Sequence, residues 1–409
     1  MEKTEDLKLT RYEVKMILFI LVVALSNLLS IDMYLPSLPA IETSLGISQA
    51  AAQYTISLYL LGLAVSVLFF GPLSDKLGRK PFIIFGLTLN IVGSLLCFKA
   101  MSDHDLLFGR LIQGVGAGAA LGAMRATVSD IMGGKKLAIF GAYFSSILGL
   151  SPIVAPVIGG YLQTYFNWRA NFIVLGAYYL LSLIWACFVP ETNHKKHLHS
   201  FNYKYHLKNY AHLLTEPTFM TYTFCGGLAI AASMAYATSG PFILQKTLGL
   251  SPLIFGWMGI FVGAGNVLAK LLTPSLIKRY DMQNTLVTGL SVILASGLIL
   301  GLALILNLLS VALLMCVVML SLFGQGLTSS NAVALGVSPY RHIGGAANAL
   351  WTSMQMGLAF LVSVILSSHF FKANQPAALT SAYIGIGLLS LSAYFLFKKH
   401  KKRQGRIAS

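Results

Sequence analysis

Two charged residues of opposite sign, Asp32 and Arg110, lie deep within long apolar stretches of the sequence. An ionised carboxylate at membrane depth is costly unless it is hydrated, paired or protonated, so such a residue usually has a function. At about 1.5 Å per residue, Asp32 lies about 25 Å from Lys15 and Arg110 about 22 Å from Arg125. The two residues therefore share a depth, and we predict that they are partners. The alternative for Asp32 is a structural hydrogen-bonding role.

The sequence around Asp32 favours a hydrated site. Pro36 and Pro39 follow it in "SIDMYLPSLP", and proline breaks or kinks a helix because it has no N–H to donate. Backbone carbonyls left unpaired at membrane depth are tolerated where they line a water-filled cavity. Asp32 is therefore expected to exchange a proton when such a cavity opens.

The composition is that of a membrane protein. The 409 residues are 56% hydrophobic and only 10% charged, with a mean hydropathy of +0.74, whereas an ordinary globular domain carries about a quarter charged residues. A helix needs about 20 apolar residues to cross a bilayer. We predict an all-α membrane protein with twelve transmembrane helices, at approximately 14–36, 50–72, 80–100, 105–126, 137–162, 167–189, 218–243, 252–275, 284–304, 308–331, 342–370 and 378–398.

The chain has a net charge of +16, and the distribution of its Lys and Arg residues indicates the membrane topology. Lys and Arg concentrate in the N-terminal tail, in alternate loops and in the C-terminal "KKHKKRQGR", while the opposite loops have almost none. The positive-inside rule therefore predicts that both termini are cytoplasmic. No aromatic residues alternate with these charges on one face, so we expect no nucleic-acid partner.

One long polar connection divides the spans into six and six. We predict five parts: a cytoplasmic tail (1–13), an N-terminal six-helix half (14–189), a cytoplasmic linker (190–217), a C-terminal six-helix half (218–398) and a basic tail (399–409). The histidines of the linker have no metal-ligand spacing, so no metal site is expected. Two halves of this kind typically enclose a substrate site near the midplane.

The stretch "GPLSDKLGRK" follows the second span and concentrates charges of both signs at a helix end. Gly71 permits a close helix approach and Gly78 a tight turn, while Asp75, Arg79 and Lys80 can hold one element against another. We predict that these residues form a gate on the cytoplasmic side. The alternative is a positive loop that only sets topology.

This stretch resembles the signature of the major facilitator superfamily, G-x-x-x-D-[RK]-x-G-R-[RK], at every position. Further stretches resemble the drug:proton antiporter branch with twelve spans, and within it the Bcr/CflA group of bacterial multidrug efflux proteins. These are "IDMYLPSLPAI", "GRLIQGVGAGA", "RATVSD", "SPIVAPVIGG" and "NWRANF". Ala155 departs from the pattern, because the antiporter motif usually has glycine before Pro156. The C-terminal half matches in layout but has few motifs.

The resemblance implies roles for individual residues. Asp32 and Arg110 would couple transport to protons. Asp130 would pair with Arg79, and Asp75 would face the inner end of the eleventh helix, so that together they hold the cytoplasmic side shut.

In the resemblance, the fifth helix bends between the two halves at Pro152, Pro156, Gly159 and Gly160. We expect polar and aromatic residues to line the substrate cavity, although each could instead make an ordinary contact between helices: Tyr34, Gln113, Tyr236, Gln325, Asn331, Asn348, Trp351 and Gln355. The glycines at 114, 116 and 118 could serve either close helix packing or a bulky ligand.

The predicted function is a secondary transporter that exports drugs or other small amphiphilic molecules in exchange for protons. Its partners would be protons, a small-molecule substrate and the bilayer of the bacterial inner membrane, in which it is expected as a monomer. We expect no cofactor and no enzyme activity, because the sequence has no Walker-type loop, nucleophile, metal cluster or paired carboxylates. The alternatives are an exporter of one metabolite, such as a siderophore or sugar, and a receptor or scaffold that does not transport.

Overall fold

The computed structural model describes residues 10–131, 149–193, 203–368 and 374–407, and its regular elements are helices. The N-terminal part contains α1 (Arg11–Asp32), α2 (Leu38–Leu45), α3 (Gln49–Leu77), α4 (Arg79–Lys99), α5 (Asp103–Ile131), α6 (Ser151–Tyr165) and α7 (Trp168–Phe188). The helices that follow are α8 (Tyr203–Thr215), α9 (Pro217–Phe242), α10 (Pro252–Ile305), α11 (Val311–Gly336), α12 (Gly344–Ser367) and α13 (Gln375–Ile407).

Polar residues between the apolar runs set where several helices begin. Thr10 and Glu13 form a capping box at α1, with Glu13 N–H donating to Thr10 Oγ1 at 3.1 Å and Thr10 N–H donating to Glu13 Oε2 at 2.7 Å. Ser48, Ser251 and Ser310 accept in the same way from the first turns of α3, α10 and α11. These bonds satisfy backbone N–H groups that have no partner inside the helix.

The predicted membrane architecture is confirmed. Ten of the described helical segments are long and apolar enough to cross a membrane. The 54 residues of α10 would be about 80 Å long as one straight helix, more than twice the core of a bilayer. Asp281, with φ of 67°, interrupts it between the predicted eighth and ninth spans. The predicted fifth span begins outside the described residues, and α6 is the part of it that the structure describes.

Three predicted boundaries differ from the structure. The signature stretch is not a loop, because α3 continues to Leu77 and α4 begins at Arg79, which leaves only Gly78 between them. The linker contains the helix α8, although residues 194–202 lie outside the described part. Helix α13 continues past 398 to Ile407, so no structural break separates the last span from the predicted basic tail.

Among the described residues, two pairs of helices make the most extensive contacts between the halves. Helix α3 packs along α12, and α6 packs along α10. Within the N-terminal half, α5 lies between α3 and α4; within the C-terminal half, α9 packs against α11, α12 and α13. We call the end of the bundle where α1 begins the terminal face, and the opposite end the far face.

The glycines of α5 serve close packing, which settles the two interpretations left open by the sequence. A Cβ atom at Gly118 would lie 2.7 Å from the carbonyl oxygen of Leu63 in α3, and one at Gly116 would lie 2.6 Å from that of Gly86 in α4. Neighbouring backbones therefore occupy the space beside these glycines, and no room remains there for a ligand.

Candidate functional site

A cavity of about 230 Å³ lies between the two halves. Its lining is mainly apolar, and the polar side chains in it are Asp32, Ser233, Tyr236, Asn266 and Gln325. Asp32 is the only charged residue among those that line it. The apolar part of the lining comes from both halves: Leu28, Ile31, Leu35, Leu60, Pro152, Pro156, Ile230, Met234, Phe255, Val262, Leu322 and Met356.

Asp32 is the last residue of α1 and is partly exposed. The hydroxyl of Ser151, at the start of α6, donates to Asp32 Oδ2 at 3.3 Å. Helix α1 ends at Asp32 because Pro36 has no N–H to donate to the Asp32 carbonyl, four residues earlier. The acid therefore stands at a helix end, beside the cavity, with a single side-chain hydrogen bond among the described residues.

Arg110 lies fully buried inside the N-terminal half. Its Nη1 donates to the carbonyl oxygen of Ser30 at 3.1 Å and to Gln113 Oε1 at 2.7 Å. The guanidinium carbon lies 4.8 Å from the centre of the Tyr34 ring and 4.6 Å from that of Tyr59. Aromatic faces attract a cation, so the two rings stabilise this buried charge.

The predicted partnership of Asp32 with Arg110 is wrong in this structure. Among the described residues, no ion pair joins the two side chains. Residues two positions apart in a helix point about 200° apart, so Ser30 and Asp32 lie on opposite sides of α1. Arg110 bonds to Ser30 on one side of α1, whereas Asp32 faces the cavity on the other side. Two residues at the same depth in the membrane can thus point in different directions.

Of the eight predicted cavity residues, Tyr236 and Gln325 line the cavity, whereas the other six lie outside it. Tyr34 and Gln113 belong to the surroundings of Arg110. The Tyr34 hydroxyl lies 2.9 Å from Thr55 Oγ1, and Gln113 Nε2 donates to a serine hydroxyl of α4 at 2.8 Å.

The remaining four predicted cavity residues make contacts within the C-terminal half. Asn331 and Asn348 donate their side-chain N–H groups to the carbonyl four residues earlier on their own helices, at 2.8 and 2.9 Å. Trp351 packs on Gly226, and the backbone of Gln355 lies against α9. Polar residue type alone did not indicate which helix face each residue occupies.

Asn266 and Ser233 also line the cavity, although the sequence did not predict them there. A Cβ atom at Gly326 would lie 3.2 Å from the carbonyl oxygen of Asn266, so α10 and α11 cross closely at this point. The crossing brings Asn266 beside Gln325. The signal in the sequence was a lone amide within an apolar run, "VGAGNVLA", of the same kind that drew attention to Asp32.

Charged residues of the signature stretch form a cluster at the terminal face. Arg79 Nε donates to Asp130 Oδ2 at 3.0 Å, and Arg79 Nη1 bonds to Asp75 and to Ser74 Oγ. The structure therefore brings together the Arg79 and Asp130 side chains that the sequence paired. We call Asp75, Arg79, Asp130 and Glu191 the terminal-face cluster.

Glu191 is the member of this cluster that sequence analysis missed. Its carboxylate accepts the backbone N–H groups of Arg79 at 2.9 Å and Lys80 at 3.2 Å, and those of the two residues after it. A Cβ atom at Gly78, where φ is +106°, would collide with this carboxylate. Burial alone would raise the pKa of Glu191, but the backbone hydrogen bonds outweigh it and lower the pKa.

The terminal-face cluster also touches the C-terminal half. A Cβ atom at Gly345 would lie 3.9 Å from Asp75 Oδ2, so this carboxylate stands at the N-terminus of α12. The helix dipole favours a negative charge there. A Cβ atom at Gly71 would lie 3.8 Å from Ala349 Cβ. Lys80 Nζ turns to α7, where it donates to a backbone carbonyl at 2.7 Å.

The predicted antiporter residues lie where α6 meets its neighbours. Pro152 and Pro156 line the cavity, and a Cβ atom at Gly259 of α10 would lie 2.5 Å from the Pro152 carbonyl oxygen. Gly159 lies against the backbone that follows α1, and Gly160 against the start of α10. Helices α6 and α10 are therefore in backbone contact beside the cavity.

One set of hydrogen bonds between the halves lies on the far-face side of the cavity, whereas Arg125 Nη1 of α5 donates to Thr352 Oγ1 of α12 nearer the terminal face. Gln53 Nε2 donates to the Thr238 carbonyl at 3.0 Å and to Gln375 Oε1 at 2.8 Å. One turn along α3, the hydroxyls of Ser57 and Ser363 lie 2.8 Å apart. The cavity thus lies between this set of contacts and the terminal-face cluster.

Two similar proteins span nearly the whole chain, and a third spans two thirds of it. The bicyclomycin resistance protein homolog of Haemophilus influenzae is 26% identical over 394 residues, which cover 95% of this chain and 98% of that protein. The multidrug resistance protein MdtL of Klebsiella pneumoniae is 27% identical over 274 residues, which cover 67% and 69%. The MFS-type transporter YdgK of Bacillus subtilis is 28% identical over 92% of this chain and 93% of its own length.

The fold has a counterpart among solved structures. A crystal structure of the nucleoside transporter NupG aligns with 94% of this chain and 99% of that chain, with a TM-score of 0.71 at 15% identity. At this identity the likeness concerns the fold alone. The sequence profile of the Major Facilitator Superfamily matches residues 20–364. The chain, a multi-pass membrane protein, therefore belongs to the Major Facilitator Superfamily.

Proposed function

We propose that the protein is a proton-coupled antiporter that exports drugs or other small amphiphilic molecules by alternating access. The observation that carries the proposal is the position of Asp32, the only charged side chain among the residues that line the cavity between the halves. The names of the relatives, a bicyclomycin resistance protein homolog and multidrug resistance proteins, support export of toxic compounds.

One carboxylate in an apolar cavity can bind either a proton or a substrate. An ionised acid at this depth requires a positive partner or water, and a protonated acid requires neither. Binding of a substrate that carries a positive or hydrogen-bond-donating group would therefore favour release of the proton. The apolar lining would hold the rest of an amphiphilic molecule. This competition is the basis of the proposed exchange.

Alternating access requires that each face opens while the other is closed. At the terminal face, opening would withdraw Asp75 from the start of α12. At the far face, opening would separate Gln53 from Thr238 and Gln375. The close contact of α6 with α10 would allow the halves to rock about the cavity.

The proposed location is the bacterial inner membrane, with the terminal face in the cytoplasm. Lys and Arg residues concentrate on the segments that reach this face, which the positive-inside rule associates with the cytoplasm. Both termini would then be cytoplasmic. We further propose a monomer as the working unit, because the two halves that enclose the cavity belong to the same chain.

The test is transport in proteoliposomes with an imposed pH gradient, using a panel of structurally unrelated cationic and neutral compounds. We expect the parent protein to move several of them against their gradients and Asp32→Asn to move none. Asp103→Asn is the matched control, because Asp103 is an acid at the start of α5 whose carboxylate lies 2.8 Å from the exposed ring of His104. It should transport like the parent.

The outcomes separate the alternatives. Transport of one compound only would indicate a dedicated exporter. Absence of transport of any compound, with binding retained, would favour a receptor. Gradient-driven transport by Asp32→Asn at the parent rate would contradict proton coupling through this acid.

A further inference from the structure

Gln325 of α11 has an unmet hydrogen-bonding capacity at the cavity. The residue lines the cavity and is 6% exposed. Its Oε1 is fully buried and, among the described residues, has no hydrogen-bond partner. By contrast, the hydroxyl of Ser233, on the same half of the cavity, already donates to a carbonyl of its own helix at 3.0 Å.

A buried amide oxygen without a partner is unfavourable, because the hydrogen bonds that it could make to water are not replaced. Native structures rarely keep such a group unless a ligand, an ion or water completes it. The close crossing of α10 and α11 at Gly326 fixes the backbone beside Gln325, so the residue stays at the cavity wall. A group on a bound molecule is then the natural partner.

We propose that Gln325 is a specificity-determining residue that pairs with a neutral hydrogen-bonding group of the substrate, an amide or a hydroxyl. This inference rests on the proposed function of the same cavity. The substrates are molecules with two polar ends: one donates to Asp32 in the N-terminal half, and the other pairs with Gln325 in the C-terminal half. An amide or a hydroxyl suits Gln325 because each can both donate and accept, like the side chain that it meets.

Such a molecule connects the two halves. Asp32 belongs to α1 in the N-terminal half and Gln325 to α11 in the C-terminal half, and both line the cavity. A compound with only one polar end leaves Gln325 unpaired. A site built to hydrogen-bond a substrate rejects analogues that lack the bonding group, because its own buried polar group is then left without a partner. Gln325 therefore selects by chemistry, whereas the apolar lining selects by size.

The test compares two aromatic amines that differ at one end, where the first has a primary amide and the second an isopropyl group of the same size. Binding and export of each are measured for the parent, Gln325→Leu and Gln325→Met, which keeps the side-chain length. The parent should bind the amide compound about tenfold more tightly than the isopropyl compound, a ratio typical of one good hydrogen bond. Both variants should lose this preference, and they should bind the isopropyl compound at least as well as the parent does.

Ser321→Ala is the matched control, because Ser321 is buried one turn earlier on α11 but outside the cavity lining. It should keep the parental preference. If the parent exports both compounds and the Gln325 variants show the same preference as the parent, this inference alone is overturned. If the parent neither binds nor exports either compound, the proposed function fails together with it.

Discussion

Arg110 shows how a buried charge is stabilised without a carboxylate partner among the described residues. Its guanidinium lies against the rings of Tyr34 and Tyr59 and donates to Ser30 and Gln113. A planar guanidinium can stack on aromatic rings and donate within its plane at the same time, which an ammonium group cannot do. The residue is therefore suited to organise the N-terminal half around it.

We expect Arg110→Lys to lower the stability of the folded protein by an amount on the order of 2 kcal/mol, because desolvated stacking and two hydrogen bonds are lost. Thermal unfolding in detergent measures this change. Arg279→Lys is the control, since Arg279 is exposed beside Tyr280 and should leave the unfolding temperature unchanged. A normal unfolding temperature for Arg110→Lys, with a shifted pH optimum of transport, would instead favour direct pairing with Asp32.

Residue types indicated candidate positions more readily than the partners of those positions. Asp32 could be identified from sequence because a charge in an apolar run has few structural explanations. Its neighbours could not, because whether Asn331 or Gln325 faces the cavity depends on how α11 is rotated against α10. That rotation is set by close contacts between the two helices, such as that of Gly326 with the backbone of Asn266. These contacts join residues far apart in sequence.

At the scale of elements, Glu191 joins the end of α7 to the start of α4. Its carboxylate accepts the first backbone N–H groups of α4. A capping residue next to the helix in sequence usually provides this acceptor, whereas Glu191 is distant in sequence. Gly78 leaves room for it. The loop-like signature in the sequence is therefore a helix–helix junction held by a remote acid.

We expect Glu191→Gln to destabilise the protein by about 1 kcal/mol at neutral pH, the usual size of a cap replacement. Because the pKa of Glu191 is lowered in the folded protein, its contribution is fully present above the ordinary value of 4.5 and is lost as the pH falls through the lower folded value. The difference in unfolding temperature between parent and variant should therefore shrink below pH 4.5. A difference that is independent of pH would contradict a role for the charge.

The contact of α6 with α10 leads to a second prediction at this scale. Gly259→Ala should reduce transport at least tenfold, because its Cβ would lie 2.5 Å from the Pro152 carbonyl oxygen and force the helices apart. Gly357→Ala is the control, since a Cβ atom there meets nothing within 4 Å and alanine is the better helix former. Equal transport rates for the two variants would show that the contact can relax without loss.

Most elements were predictable from sequence, because apolar length determines a membrane span and serine caps mark where several begin. The signature stretch was misassigned as a loop, since its charges and Gly78 resemble a turn, whereas Glu191 allows α4 to begin with only Gly78 between it and the end of α3. The division of α10 near Asp281 was predicted from the polar residues around it.

At the scale of the whole molecule, the cavity lies between two sets of contacts that join the halves. The Ser57 and Ser363 hydroxyls, 2.8 Å apart on α3 and α12, belong to the far-face set. We expect the double variant Ser57→Cys/Ser363→Cys to form a cross-link under mild oxidation, to lose transport, and to regain it on reduction. Each single variant should be insensitive to the oxidant. Full transport by the cross-linked protein would contradict opening at the far face.

In the proposed exchange, one carboxyl group, that of Asp32, binds the proton and the substrate in turn. The most direct measurement is proton release on substrate binding, followed with a pH indicator in weakly buffered detergent solution over a series of pH values. The parent should release protons in proportion to the substrate that it binds. Asp32→Asn should bind a neutral substrate without releasing any. The same proton release from Asp32→Asn as from the parent would contradict the claim.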